Sequence, residues 1–354
     1  MSKRKLTRRQ AWRIEKVQQE KTRRAESKNA QVDGLFEEGA LGGELSGRVI
    51  AHYGTLVEIE SEKVDQADQS ESLSDGEQSE NLQNYRCHFR PNLAHIVVGD
   101  EVIWRPDKQN SGVIEAIKPR GTELSRPDSR GQLKPVAANI DRIFIVISSL
   151  PEPLEILIDR YLVEAERLNI EPVLVLNKSD LIDEKNREAL DQLLDIYRKI
   201  GYPVIQVSCY SQDGMDELSK ALDQHTSIFV GQSGVGKSSL IQELLPDEQL
   251  KTGAVSSANL RGRHTTSTAR LYHFHNGGNL IDSPGIREFG LNHLTRREVT
   301  DGFAEFRPFV GLCHFRDCKH LHEPRCALLA AEESGDLHPS RLHSYRRILH
   351  EIDD

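Results

Sequence analysis

The stretch GQSGVGKS at residues 231–238 decides the fold of the largest part of this chain. It fits the pattern G-x-x-x-x-G-K-[ST] and lies between an apolar run at residues 227–230 and an amphipathic stretch at residues 239–245. Glycines let backbone N–H groups turn inward around phosphates, Lys237 can reach the β- and γ-phosphates, and Ser238 can ligate Mg²⁺. Because a strand precedes the stretch and a helix follows it, the sequence predicts a P-loop.

The surrounding chain alternates strands with helices from residue 139 onward. Apolar runs at residues 142–148, 172–176, 203–207 and 227–230 predict buried strands. Residues 154–168, 184–200 and 215–222 repeat apolar side chains at helical spacing. This alternation predicts a parallel sheet covered by helices. Two short strands at residues 272–274 and 279–281 follow, and then a helical tail from about residue 295.

A second motif, NKSD at residues 177–180, follows one of these strands at its carboxyl end, where open α/β sheets bind ligands. A carboxylate at Asp180 accepts two hydrogen bonds from the N1–H and the amino group of guanine. Adenine presents an acceptor at N1 and would leave that carboxylate mispaired. Ser208-Cys209, after the next strand, would supply the backbone loop that approaches the guanine O6. The predicted nucleotide is therefore GTP.

Two further motifs complete the phosphate side. In DSPG at residues 282–285, the aspartate would hold the Mg²⁺ shell and the glycine N–H would sense the γ-phosphate. RHTT at residues 263–266 precedes it, and one of its threonines could close on Mg²⁺ as a switch. The usual GTPase order ends with the base-reading motifs, whereas here they come before the P-loop. Circular permutation explains this order, because domain termini often lie close together.

The C-terminal region contains Cys313, Cys318, His320 and Cys326. Three thiolates and one imidazole match a closed tetrahedral site for one structural Zn²⁺. Reduced cysteines at chance spacing are the alternative, and His314 or His322 could replace His320 as the fourth ligand. The surrounding cations make a plausible RNA-facing surface: Arg307, Arg316, Lys319 and Arg325.

The N-terminal third has a different character. Five short alternating runs between residues 47 and 117 predict a small all-β barrel of the OB-fold kind, with an acidic loop at residues 58–80 between its second and third strands. That loop holds nine acidic residues and one lysine. Residues 1–30 carry eleven Lys or Arg against three Glu, which is typical either of a solvated tail or of a nucleic-acid-binding arm.

Composition excludes several classes of protein. No apolar run approaches the roughly 18 to 20 residues of a membrane span, and the basic N-terminus lacks the apolar stretch of a secretory signal. Five cysteines in 354 residues make no disulfide framework. We therefore predict a cytoplasmic protein without a membrane partner, and nothing in the sequence demands a dimer.

Together these motifs resemble the RsgA family (also called YjeQ or YloQ) of circularly permuted GTPases that depend on the small ribosomal subunit. The resemblance covers about residues 47–350. It implies an OB-fold, a permuted GTPase domain and a helical zinc domain that bind the maturing small subunit and its rRNA. It also implies slow GTP hydrolysis that the subunit accelerates, with a late role in assembly. We predict a tail at residues 1–45, a barrel at 46–122, a GTPase domain at 123–294 and a zinc domain at 295–354.

Three features depart from the resemblance. Ile286 stands where many GTPases carry a water-orienting glutamine, and His264 is the candidate replacement because similar family members place a histidine before the threonine pair. The acidic insertion would repel RNA on a binding face. The sequence Thr265-Thr266-Ser267 replaces a longer threonine run.

The predicted site residues fall into four groups. The nucleotide group is Asn177, Lys178, Ser179, Asp180, Ser208, Cys209, Gly231, Gln232, Ser233, Gly234, Val235, Gly236, Lys237, Ser238 and Ser239. The switch and Mg²⁺ group is Ser238, Thr265, Thr266, Asp282 and Gly285, the metal group is Cys313, Cys318, His320 and Cys326, and His264 is the catalytic candidate. Two other functions stay open: an RNA-binding assembly chaperone for which turnover is minor, and a GTPase that acts on translating ribosomes.

Overall fold

The structure is a computed structural model that describes residues 41–63, 82–90, 93, 95–107, 110–127, 132–245, 269–275, 277–282, 291 and 293–353. These residues form two compact units. The first unit ends at Pro119 and omits residues 97–99, and the second contains those three residues and the chain from Arg120 onward.

The first unit is a closed five-stranded barrel. Its strands are β1 (Leu45–His52), β2 (Val57–Glu62), β3 (Leu82–Phe89), β4 (Glu101–Pro106) and β5 (Ser111–Ile117). The order is β1-β2-β3-β5-β4, and β4 pairs back with β1. Strands β3 and β5 are parallel, whereas the other neighbours are antiparallel. This closed sheet confirms the predicted OB-fold.

Alternating side chains fill the barrel. Val57, Ile59 and Trp104 are fully buried, and the Trp104 indole N–H donates to Ser61 Oγ at 3.2 Å. Strand β2 extends to Glu62, so the first residues of the predicted acidic loop are in fact strand. The chain between β2 and β3 is the acidic stretch, as predicted, but residues 64–81 and residues 1–40 lie outside the described residues.

The second unit is built on a parallel sheet. Its strands are β8 (Arg142–Ser148), β9 (Glu171–Asn177), β10 (Val204–Gln206), β11 (Thr226–Val230), β12 (Arg270–His273) and β13 (Asn279–Asp282), in the order β10-β9-β8-β11-β13-β12. Only β12, at the edge, runs antiparallel to its neighbour among these strands. The helices on this sheet are α1 (Glu155–Leu168), α2 (Arg187–Ile200), α3 (Met215–Leu222) and α4 (Lys237–Leu244). The predicted strand-helix alternation is confirmed.

The sequence reasoning missed a two-stranded hairpin. Strands β6 (Glu123–Pro127) and β7 (Leu133–Ala138) pair only with each other in the described structure. Their side chains do not form a continuous apolar run, because a two-stranded ribbon has little buried face, and periodicity therefore gives no signal there.

The C-terminal module contains three helices: α5 (Arg296–Gly302), α6 (Ala327–Ser334) and α7 (Pro339–Asp353). Helix α5 begins with a capping box, in which the Thr295 hydroxyl accepts from the Glu298 N–H and the Glu298 carboxylate accepts from the Thr295 N–H. Phe303 and Phe306 stack in the core of the C-terminal module, with their ring centroids 4.7 Å apart. No helix among the described residues has the length and apolar character needed to cross a membrane.

Helix α1 joins this module to the parallel sheet. It is buried on almost every side, because β8 and β9 lie on one flank and α5 and α7 on the other. Val163 belongs to the apolar core of the C-terminal module. It lies so close to Gly302 that a Cβ added to this glycine would be 2.7 Å from the Val163 side chain. Helix α1 therefore contributes to the module core on one flank and packs against the sheet on the other.

A buried ionic cluster crosses the same contact. Arg341 of α7 is 1% exposed, and its guanidinium donates to Asp159 of α1 and to Glu305, the latter at 2.6 Å. Tyr197 of α2 donates its hydroxyl to Asp159 at 2.8 Å. Burial by itself would lower the pKa of Arg341, but the two carboxylates raise it above its ordinary value, so the guanidinium stays charged. We call Asp159, Tyr197, Glu305 and Arg341 the α1 cluster.

Candidate nucleotide site and metal cluster

The P-loop follows β11 and leads into α4, as predicted. Gly231, Gly234 and Gly236 have φ angles of 135°, 86° and 94°. A Cβ on Gly231 would lie 2.1 Å from the Val146 carbonyl oxygen, and one on Gly236 would lie 2.3 Å from the Asn177 amide nitrogen. Only glycine therefore fits at these two positions. The Lys237 ammonium lies within the loop and donates to the carbonyls of Gly231 and Gln232 at 2.7 and 2.8 Å.

The NKSD motif lies directly beside the P-loop. Strands β9 and β11 flank β8, whose Ser148 pairs in register with Asn177. The buried Asn177 amide donates to the Val235 carbonyl at 2.9 Å. Lys178, with φ of 59°, donates to the Gly234 carbonyl at 2.7 Å. These two side chains join the NKSD motif to the P-loop, although more than 50 residues separate the two motifs in the chain.

Asp180 and Ser208 also meet. The buried Ser208 hydroxyl donates to the Asp180 carboxylate and accepts the backbone N–H groups of Tyr210 and Ser211 at 3.1 and 3.2 Å. Asp180 itself is exposed. A fixed carboxylate and a tight backbone loop side by side are the two groups that the N1 and O6 edges of guanine require.

Cys209 follows Ser208 in the loop after β10. Burial, and secondarily the nearby Glu243 carboxylate, raises the pKa of the Cys209 thiol, so it is neutral at pH 7. The Gln212 amide donates to the Cys209 carbonyl at 2.8 Å and to Glu243 of α4 at 3.0 Å. Sequence reasoning missed Gln212 and Glu243, and also Leu150, whose carbonyl accepts from Lys178 at 2.9 Å. The motifs carry no signal for these supporting contacts, because they depend on how separate loops meet.

The Mg²⁺ side is described only in part. Ser238 and Ser239 lie in the first turn of α4, and Asp282 ends β13, which is the parallel neighbour of β11. Ser238 and Asp282 therefore follow adjacent strands at the same edge of the sheet, where hydroxyl and carboxylate oxygens suit Mg²⁺. His264, Thr265, Thr266 and Gly285 lie outside the described residues, as does Ile286.

The four predicted metal ligands meet in the C-terminal module. The ligand atoms of Cys313, Cys318, His320 and Cys326 all lie within 4.8 Å of one another. Cys313 Sγ is 3.9 Å from Cys326 Sγ, and His320 Nδ1 is 3.4 Å from each of these two sulfurs. A tetrahedron with Zn–S bonds of about 2.3 Å has S···S edges of about 3.8 Å, and S···N edges of about 3.5 Å. The cluster therefore has the size of a tetrahedral metal site, and His320, rather than His314 or His322, is its fourth member.

The pKa shifts at this cluster show which ligand must lose a proton when a metal binds. Burial lowers the pKa of His320, so its ring is neutral at pH 7, the form in which imidazole ligates a metal. Burial raises the pKa of Cys318 to about 12, and the neighbouring thiols add to the shift, so uptake of a cation would release its proton. Glu323 braces the loop by accepting the backbone N–H groups of Lys319, Leu321 and His322 at 2.9 to 3.1 Å.

Comparison with known proteins gives one consistent family. The model of the RsgA GTPase family matches residues 117–292. A protein of Ectopseudomonas mendocina named small ribosomal subunit biogenesis GTPase RsgA is 54% identical over 349 residues, which cover 99% of this chain and 98% of that protein.

Two solved structures are similar over most of the chain. The crystal structure of YjeQ from Thermotoga maritima is 32% identical with a TM-score of 0.69, covering 88% of this chain and 99% of that one. The crystal structure of YloQ, described as a circularly permuted GTPase, is 27% identical with a TM-score of 0.65, covering 88% of this chain and 96% of that one. The permuted order of motifs in this chain therefore agrees with the circularly permuted fold of a solved relative.

Proposed function

Because the chain belongs to the RsgA GTPase family and is therefore a GTP hydrolase, we propose that it binds the small ribosomal subunit and its rRNA and assists late maturation of that subunit in the cytoplasm. The observation that carries the proposal is the junction of NKSD with the P-loop through Asn177 and Lys178. It supports a single guanine nucleotide site in a chain whose relatives are named for small-subunit biogenesis.

In this proposal the base and the phosphates are held by different halves of the sheet. Asp180, fixed by Ser208, accepts the N1–H and amino group of guanine, and the backbone at Cys209 approaches O6. The N–H groups of the P-loop surround the phosphates, and Lys237 exchanges its carbonyl partners for phosphate oxygens. Ser238 and Asp282, together with Thr265 or Thr266, would hold Mg²⁺, which neutralises the charge that develops on the phosphates.

Hydrolysis needs a group that orients water, and we assign that role to His264 because Ile286 cannot perform it. Intrinsic turnover is slow in this proposal, and the small subunit accelerates it. Loss of the γ-phosphate then releases Gly285 and the switch threonines, and the protein leaves the subunit. The Cys313, Cys318, His320 and Cys326 cluster holds one structural Zn²⁺, since all four positions of a tetrahedron are filled by protein ligands.

GTP turnover by the purified protein tests the proposal, measured alone, with small subunits and with large subunits at one stated salt concentration. We expect acceleration by small subunits only, and loss of that acceleration in His264→Ala with GTP affinity retained. Unchanged turnover with small subunits would overturn the proposal. Tight binding to small subunits without acceleration would instead favour the assembly chaperone, and equal preference for mature and immature subunits would favour a role on translating ribosomes.

A further inference from the structure

The loop that follows β10 is closed by its own backbone. The Ser208 N–H donates to the Asp213 carbonyl at 3.0 Å. Gly214, with φ of 68°, lies so close to β10 that an added Cβ would be 1.9 Å from the Gln206 carbonyl oxygen. Only glycine therefore fits at residue 214, and the backbone before it has little freedom. We call residues 208–214 the base loop.

The peptide group between Cys209 and Tyr210 is held at both of its polar atoms. The Tyr210 N–H donates to the Ser208 hydroxyl at 3.1 Å, and the Cys209 carbonyl accepts from the Gln212 amide at 2.8 Å. Rotation of this peptide group would break both hydrogen bonds, and each polar atom would then need a new partner. Because the group is attached to the Cα of Cys209, these two bonds limit the directions in which the backbone at Cys209 can face a nucleotide.

The same amide nitrogen of Gln212 also contacts the helix that follows the P-loop. Gln212 Nε2 lies 3.0 Å from Glu243 Oε1, to which it donates, and Glu243 is on α4. An amide NH₂ group carries two protons, so one nitrogen can serve both acceptors. Gln212 thereby ties the base loop to the helix whose first turn contains Ser238.

The backbone of Gln212 is an unusual one for this residue type. Its φ is 62°, in the left-handed region that glycine and asparagine adopt more readily than glutamine does. Gln212 is exposed, so burial does not explain the choice of side chain. Such conformations persist where the surrounding structure determines them, and they are frequent at ligand sites. What glutamine adds here is a donor on a chain long enough to reach two acceptors at once.

We infer that Gln212 is a positioning residue for guanine: by tying the Cys209 carbonyl to Glu243, it holds the base loop in the orientation in which the backbone at Cys209 meets O6. This inference deepens the proposed function and rests on it for the assignment of Cys209 to O6. It gives Gln212 a share in the preference for a 6-oxo purine, separate from the share of Asp180, which accepts from N1–H and the amino group.

Equilibrium affinities of the full chain for three nucleoside diphosphates separate the two edges of the base, and diphosphates avoid hydrolysis during the measurement. 6-Thio-GDP keeps N1–H and the amino group but replaces O6 by sulfur, a weaker acceptor, whereas IDP keeps O6 and lacks the amino group. Gln212→Met removes the donor and keeps an unbranched side chain. It should weaken GDP binding roughly 2- to 10-fold, the range for one hydrogen bond. The preference for GDP over 6-thio-GDP should fall by a similar factor, and the preference for GDP over IDP should not change.

A rescue variant and a matched control complete this experiment. Gln212→Lys should bind all three nucleotides as the unmodified chain does, because an ammonium group can donate to both the Cys209 carbonyl and Glu243. Gln192→Met is the control, since Gln192 is an exposed glutamine of α2 that also donates to a glutamate, Glu188, at 3.3 Å. A loss by the same factor for all three nucleotides would mean that Gln212 only stabilises the loop. That result, or equal loss in the methionine and lysine variants, would overturn the inference.

A double-mutant cycle tests the link to α4. Glu243→Ala removes the second acceptor and should lower the preference for GDP over 6-thio-GDP in the unmodified chain. It should have a smaller effect in the Gln212→Met background, because the two residues act through one contact. Additive effects of the two substitutions would overturn the link between the base loop and α4.

The outcomes separate this inference from the proposed function, because the affinities are measured without ribosomal subunits. If small subunits fail to accelerate turnover while Gln212→Met shifts the nucleotide preference as expected, the proposed function fails and the inference stands. If Gln212→Met and Gln192→Met have the same nucleotide preferences while small subunits accelerate turnover, the inference is wrong and the proposed function stands.

Discussion

Replacement of Arg341 by methionine should loosen the contact between α1 and the C-terminal module. The substitution leaves the Asp159 and Glu305 carboxylates without their cation at sites where Asp159 is fully buried and the Glu305 side chain is 11% exposed. Removing one partner of a buried ion pair costs about 3 to 5 kcal/mol. Methionine fills most of the volume and can still contact Phe303, so we assign little of this cost to packing.

Hydrogen exchange followed by mass spectrometry measures this cost locally, which suits a chain of several units better than a single melting curve does. A loss of 3 to 5 kcal/mol should speed exchange of the most protected amides of α1 and α7 roughly 100- to 4,000-fold. Amides of the barrel strands should be unchanged. Burial raises the pKa of Asp159 even beside Arg341, so protonation of this carboxyl should relieve part of the loss in Arg341→Met as the pH falls, and the effect should be no smaller at pH 8 than at pH 6.

Two comparisons make the result decisive. Arg347→Met on the exposed face of the same helix should change exchange by less than threefold. Combining Arg341→Met with Asp159→Asn and Glu305→Gln removes the unpaired charges and should recover part of the loss. If Arg341→Met and Arg347→Met exchange alike, the α1 cluster does not stabilise this contact.

Three further substitutions test the two sites. Asp180→Ala should weaken GTP binding, measured by calorimetry, about 10- to 100-fold, because a charge-assisted pair of hydrogen bonds is lost. ATP binding should stay weak. Unchanged GTP affinity would contradict the role assigned to Asp180. Gly231→Ala should abolish GTP binding, because its Cβ would lie 2.1 Å from the Val146 carbonyl, whereas Gly201→Ala has open space around its Cβ and should retain it. Glu323→Ala should speed zinc loss to a chelator about 10- to 100-fold, which retention equal to that of the unmodified chain would refute. Backbone N–H groups lower the pKa of Glu323 to about 2. The stability that the Glu323 carboxylate gives to the loop at residues 319–322 is therefore complete above the ordinary pKa of 4.5, and it is lost as the pH falls from 4.5 toward 2.

The motifs predicted which loops would meet, because each one follows a strand whose carboxyl end lies at one edge of a parallel sheet. They could not predict the contacts that hold those loops together. The Asn177 amide binds a carbonyl of the P-loop, and Lys178 binds two carbonyls from separate loops. Every residue has the same backbone carbonyl, so residue identity does not indicate which carbonyl will accept a side-chain hydrogen bond.

Buried charge was the other feature that periodicity could not reveal. Asp159 and Glu164 lie on buried faces of α1, where an amphipathic pattern assigns polar residues to solvent. The cation that pairs with Asp159 is remote, since Arg341 follows it by 182 residues, whereas Glu164 pairs with Arg167 only three residues later. The meeting of Cys313, Cys318, His320 and Cys326, in contrast, was predictable, because cysteines and a histidine at short spacing are typical of metal sites.

The close packing of α1 against α7 has a consequence for synthesis of the chain. Helix α1 is the first helix on the described parallel sheet, and α7, which covers it, is synthesised much later, since Arg341 follows Asp159 by 182 residues. Until then Asp159 of α1 lacks its cation. A chain that terminates before α7 therefore leaves this side of α1 uncovered and its buried carboxylate unpaired.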